Sequence, residues 1–157
     1  VGEPIQTRPP DTCLLAAAPT TSPRPENRAT PVGAIAGPAG ADVVIAHVFT
    51  DDEFETVVER LQFDSVTGAA PDEVADRHAT VRDLRERLDE AGLETSVRGA
   101  VGEHGEEIVA LAETTRADLV VVGGRKRSPT GKAVFGSVAQ TVMLSAPCPV
   151  TFVRGDE

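Results

Sequence analysis

Hydrophobic positions along the chain follow two spacings that take turns. Val43 to Phe49 (Val-Val-Ile-Ala-His-Val-Phe) and Leu119 to Val122 are short, β-branched apolar runs. Apolar side chains at successive positions predict strands buried on both faces. Thr95 to Val101 and Val150 to Val153 predict two further strands, the last entered between Pro147 and Pro149. Proline there suits the start of a strand at a sheet edge. Thr12 to Ala17 predicts a weaker first strand, because Ala16-Ala17-Ala18 is a poor strand former.

Between these runs the apolar positions recur with a helical period. Phe54, Val57, Val58 and Leu61 form one face of a short helix, and Thr67 to Pro71 reads as a loop. Val74, Val81, Leu84 and Leu88 keep one stripe through a single longer helix, from Asp72-Glu73 to a stop at Gly92. Ile108, Leu111 and Ala112 turn inward on a helix from Glu106 to Thr115, and a last helix runs from Ser137 to Leu144. Prolines at 19, 23, 25 and 31 allow a helix over Glu26 to Ala36 only if it is interrupted near Pro31. Residues 1–10 read as an unstructured leader, 11–154 as one domain with an irregular stretch at 11–36, and 155–157 as a tail. Strand–helix alternation gives an α/β fold, a parallel sheet covered on both faces and joined by right-handed crossovers.

Composition narrows the function classes. A net charge of −10, with 25 acidic against 15 basic residues, argues against a general nucleic-acid surface. The absence of Trp and Tyr removes the stacking platform of a single-strand binder. Lys126 and Lys132 are the chain's two lysines, and an acid-rich, lysine-poor surface suggests a salt-rich solvent. Cys13 and Cys148 lack the spacing of a disulfide scaffold or metal site, and His47, His78 and His104 read as ordinary structural or surface histidines. No apolar run reaches the length of a membrane span, and Cys13 to Ala18 is too short for a signal-peptide core. The cytoplasm is the default compartment.

Chemistry concentrates after Val122. The strand is expected to stop at Gly123-Gly124, where the backbone allows close approach. A basic loop with Arg125, Lys126, Arg127 and Lys132 follows, and then Gly136-Ser137 opens a helix. Ser137 and Gln140 have the spacing of a capping box. Strand, glycine loop and helix N-terminus together read as an anion site. The alternative is a surface connection whose cations are merely solvated, and the position at the strand end where open sheets bind ligands favours the first.

The segment Val43 to Arg154 resembles the universal stress protein family. The resemblance rests on Ala41 to Val48, on Val101 to Ile108, and on the long loop with Gly136-Ser137-Val138-Ala139 and Ala146-Pro147-Cys148-Pro149-Val150. The Gly-Gly-Arg-Lys-Arg loop is similar to forms from salt-loving archaea. The resemblance implies an open, doubly wound five-stranded Rossmann-like sheet of order 3-2-1-4-5, paired as a homodimer along the last strand. It also implies adenine nucleotide binding, ATP or AMP with Mg²⁺ accompanying ATP, through Gly-x2-Gly-x9-Gly-Ser/Thr. Here Gly123 and Gly136-Ser137 fit that spacing, with Val122 and Val138 flanking it, and Lys126 replaces the second glycine. Val48 falls beside the base by the same alignment, although a core role is the stronger reading. Ala18 stands where family members carry an aspartate toward the nucleoside, and Ala16 where a proline is common. One reading of this aberrant start is that residues 1–34 partly derive from an altered reading frame or a degraded copy.

Two functions follow: a nucleotide-binding stress protein, or a family member that acts only as a dimeric scaffold. No paired base and nucleophile is recognisable in the sequence, so an enzyme is not expected beyond slow incidental ATP hydrolysis.

Overall fold

The computed structural model describes residues 12–16, 26–60, 70–124 and 136–154. Five parallel strands, β1 (Thr12–Ala16), β2 (Asp42–Phe49), β3 (Thr95–Val101), β4 (Leu119–Gly124) and β5 (Val150–Arg154), form one sheet of order β3-β2-β1-β4-β5. The helices are α1 (Glu26–Ala39), α2 (Asp51–Arg60), α3 (Pro71–Asp76), α4 (Ala79–Glu90), α5 (His104–Thr114) and α6 (Ser137–Ser145). The expected leader, the tail, the 67–69 part of the expected loop, and Leu61 lie outside the described residues.

Strand periodicity divides the core in two. Cys13, Leu15, Val43, Ile45 and Val121 face one way, against Val32 and Ala36 of α1 and Val81, Leu84 and Leu88 of α4. Leu14, Ala16, Val44, Ala46, Val48, Val120 and Val122 face the other way, against Ile108 and Ala112 of α5 and Ala139 and Val142 of α6. A third cluster joins Phe49 at the end of β2 to Phe54, Val57 and Val58 of α2 and Val74 and Ala75 of α3.

Several elements differ from the sequence expectation. α1 continues through Pro31 and Pro38 rather than breaking near Pro31. Each proline removes one backbone donor, but Val32 and Ala36 are buried against the sheet, and such packing outweighs local propensity. The single helix expected from Asp72 to Gly92 is two. His78 adopts an extended φ/ψ of −69°/135°, and its Nδ1 accepts a hydrogen bond from the Thr80 N–H at 3.3 Å. This break lets Val74 serve the third cluster while Val81, Leu84 and Leu88 serve the first. Gly92, at φ 81°, ends α4 as its position suggested. α5 begins at His104, two residues before the expected Glu106.

β4 does not stop at the glycines. Gly123 and Gly124 are strand residues in register with Val153 and Arg154, because β5 supplies the partner that a single run of sequence cannot show. The box expected at Ser137 and Gln140 is also not formed. Gly136 is the N-cap and Ser137 the first helical residue, so the Ser137 side chain is one position too late to cap. A reciprocal box exists elsewhere, at Thr50 and Glu53. The Glu53 N–H donates to Thr50 Oγ1 at 3.2 Å, and the Thr50 N–H donates to Glu53 Oε2 at 3.0 Å.

The outer edge of β3 is covered by the start of α3. The Gly99 N–H donates to Asp72 Oδ1 at 2.7 Å, and Arg98 lies 3.5 Å from the other Asp72 oxygen. Pro71 sits so close that a Cβ at Gly99 would lie 2.1 Å from its carbonyl oxygen. Covering an edge in this way blocks strand addition from another chain.

Gly99→Ala must therefore displace backbone, and is expected to cost about 1–3 kcal/mol of unfolding free energy. Thr50→Ala removes only a cap and is expected to cost about 1 kcal/mol. Urea denaturation of both variants checks the order; an undiminished Gly99→Ala midpoint would contradict the close packing.

Cys13 is buried, and burial followed by the charges of Asp118 and Cys148 pushes its thiol up; burial followed by Asp118 does the same to the half-buried Cys148. A disulfide reagent near pH 8 is expected to label Cys148 slowly in the native chain and Cys13 only after denaturation. Equal native rates would contradict the placement of Cys13.

Candidate functional site

Strand order reverses between β1 and β4, since the chain winds outward to β2 and β3 on one side and to β5 on the other. Helices leaving those two strands diverge to opposite faces and open a crevice at the strand C-terminal ends. The β1–β4 register runs from Cys13↔Leu119 to Leu15↔Val121, while β4 continues to Gly124 against β5. The continuing end of β4 is thus the rim of the crevice.

Under that rim lies an apolar floor. Val48 and Val122, 2% and 3% exposed, share one cluster with Ala16 and Ala139, and the partly buried Val138 packs on it. Three candidate positions far apart in sequence are thereby brought together. Val48 and Val122 are core side chains, as their strand positions imply.

The opposite wall is the start of α6, which packs on β4 and β5. Gly136 is extended, at φ −68° and ψ 163°, and has no side chain with which to cap the first turn. The first N–H bonded within the helix is that of Gln140, which donates to Gly136 O at 3.0 Å. The amides of Ser137 and Val138 therefore need an acceptor from outside the helix. Ser137 is exposed, and its carbonyl accepts from Thr141 Oγ1 at 3.0 Å. α5 presses close beside α6: a Cβ on Gly105 would lie 2.8 Å from Thr141 Cβ. Both helices thus direct their positive ends to the same end of the sheet.

Gly123, Gly124, Gly136, Ser137, Val138, Val48 and Val122 are placed around this crevice. Arg125, Lys126, Arg127, Lys132 and Ala18 lie outside the described residues. Among the described residues, no group of three or more His, Cys, Asp or Glu side chains could hold a metal ion. Carboxylates at this end of the sheet come from the first turns of α2, with Asp51, Asp52 and Glu53, and of α5, with Glu106 and Glu107. His104 Nε2 lies 3.5 Å from Glu53 Oε2, which places the start of α5 beside the Thr50–Glu53 box. The Thr-x-x-Glu spacing after β2 is the sequence signal for this arrangement.

Chemically, an apolar floor beside outward-facing N–H groups suits a ligand with a flat apolar part and an anionic end. The N–H groups offer charge-assisted hydrogen bonds to that anion.

Comparison with known proteins agrees with the sheet order and the α/β fold. The profile of the universal stress protein family matches residues 19–154. A universal stress protein of Mycolicibacterium smegmatis is 37% identical over 79 residues, which is 50% of this chain and 61% of that protein. Matches to the curated relatives span from 39% to 61% of their lengths. The structure of a universal stress protein from Archaeoglobus fulgidus is 26% identical, with TM-score 0.66 over 90% of this chain and 97% of that one. An Archaeoglobus fulgidus universal stress protein in complex with dAMP has TM-score 0.63 at 21% identity, covering 90% of this chain and 96% of that one. A family protein from Arabidopsis thaliana with AMP bound has TM-score 0.58 at 14% identity, with 92% of each chain covered. With the profile covering most of its length and the sheet order in place, the chain belongs to the universal stress protein family.

Proposed function

We propose that this chain binds an adenine nucleotide, AMP or ATP, at the turn between β4 and α6. The observation that carries the reading is the start of α6, with a glycine at its N-cap, packed beside β4 over an apolar floor. The family structures that hold dAMP and AMP support it. In this reading the backbone of Gly123, Gly124, Gly136 and Ser137 binds phosphate, and Arg125, Lys126, Arg127 or Lys132 neutralises its charge. The base lies toward Val48, Val122 and Val138, whose surfaces are apolar. Mg²⁺ would accompany ATP through its phosphates. Ala18 in place of a carboxylate weakens selection for the base more than the hold on phosphate. The function is binding in the cytoplasm, in response to stress, with ATP turnover slow and incidental.

The same reading places a homodimer along Val150–Val153 of β5. That strand is an edge of the sheet, its Val150, Thr151, Phe152 and Val153 are only half-buried, and the exposed Leu144 and Met143 lie at the end of α6 that leads to it. A half-covered apolar edge favours pairing with a second copy. This observation also supports the second reading, a dimeric scaffold without nucleotide, which Lys126 and Ala18 favour.

Calorimetric titration with AMP and with ATP, each with and without Mg²⁺, separates the two readings. Saturable heat that disappears in Ser137→Trp, with sedimentation of the variant unchanged, is the expected result. Absence of heat at millimolar nucleotide would leave the scaffold reading.

The surplus of 25 acidic over 15 basic residues makes screening favourable to the folded chain. We expect the melting temperature to rise as KCl is added, as for a protein of a salt-rich cytoplasm; a falling melting temperature would contradict that habitat.

A further inference from the structure

Behind the crevice floor, two histidines that the nucleotide reading does not use stack face to face. His47 lies on β2 and is 1% exposed; its ring centroid is 4.3 Å from that of His78, with planes 29° apart. Phe49 packs edge-on to His47 at 4.5 Å and lies 6.1 Å from His78, and Phe54 lies 5.7 Å from Phe49. His78 is also the N-cap of α4, where its Nδ1 accepts the Thr80 N–H. One side chain therefore both closes the core over β2 and holds the break between α3 and α4.

We propose that the His47–His78 stack is an acid-sensitive latch: a proton on His78 releases the start of α4 and opens the α3–α4 junction. Three effects act in one direction. A proton on Nδ1 turns the acceptor into a donor, so the Thr80 N–H loses its cap. The new cation stands at the positive end of the α4 dipole. It also lies against a fully buried imidazole, in a half-buried position where a charge loses solvation.

The surrounding charges do not reverse this. From α2, Arg60 opposes a proton on His78 and Glu53 favours one, but Glu53 Oε2 is engaged by the Thr50 N–H and lies beside His104 of α5. From α3, Asp72 is held by Gly99 and Arg98 of β3, and Asp76 by Arg85 of α4. Arg77 adjoins His78, and α4 adds Arg82, whose N–H donates to the His78 carbonyl. β2 contributes His47 itself. Burial first, then Arg60, holds the His78 imidazole below the ordinary histidine range, with Glu53 opposing.

The sign follows. A histidine whose folded value is depressed takes up protons more readily once its segment opens. Stability of the junction is therefore complete above the ordinary value of 6.5 and falls as pH drops below it. Ala46 and Val48, which flank His47 on β2, both belong to the crevice-side cluster, so the latch sits directly behind that floor.

Hydrogen exchange of the full chain at pH 7.5 and pH 5.5, corrected for intrinsic exchange chemistry, tests the proposal. Peptides spanning residues 74–88 are expected to lose protection severalfold at the lower pH, while those from 119–122 keep theirs. His78→Asn retains a capping acceptor that does not titrate, and should make protection over 74–88 the same at both values. Unchanged protection in the native chain, or the same loss in His78→Asn, would overturn the latch. Proton NMR of the native chain decides without a variant. A His78 ring midpoint below 6.5 is expected, and one at or above it would overturn the proposal.

Discussion

The position of β1 constrains everything else. It is hydrogen-bonded in parallel to β2 on one side and to β4 on the other, and Cys13, Leu14, Leu15 and Ala16 are all buried. A parallel strand in that place needs apolar cover on both faces. α1 and α4 supply one cover and α5 and α6 the other. The same position makes β1 the point where strand order reverses, so a strand covered on both faces also creates the crevice. Asp118 fastens the other end: its N–H donates to the Thr12 carbonyl at 2.9 Å, and its Oδ2 accepts from the Thr12 N–H at 3.1 Å.

How much of this could be read in advance depended on whether an element carries its own reason. Val43 to Phe49 was legible because its apolar, β-branched run ends in turn residues, and Thr95 to Val101, closed by Gly102, has the expected limits as β3. The Val74, Val81, Leu84 and Leu88 stripe was legible as a face, but the break within it was not. That break depends on His78 meeting His47, a contact between residues 31 positions apart. In the same way Gly123 and Gly124 look like a strand exit until β5 lies beside them. α1 reads as interrupted until the burial of Val32 and Ala36 is set against the lost proline donors.

The site divides along the same line. Gly123, Gly136 and Ser137 could be found from spacing, and the structure places them at the crevice by strand order and helix entry. The floor formed by Ala16, Val48, Val122 and Ala139 could not be assembled from local sequence, since each of these is an ordinary core residue on its own. Their convergence supplies a surface for an apolar group beside donors for an anion. The two faces of β2 then have different roles. Ala46 and Val48 belong to that floor, while His47 and Phe49 hold the junctions of α2, α3 and α4 in place.

The central claim is that the turn from β4 into α6 is where a nucleotide phosphate is held. Backbone amide shifts of the labelled protein, followed while AMP is added, test it at the atoms concerned. The account predicts that the amides of Gly123, Gly124, Ser137 and Val138 move together and saturate, while those of the covered β3 edge stay still. If saturating nucleotide leaves these four amides unmoved, or shifts a different end of the sheet, the claim is contradicted.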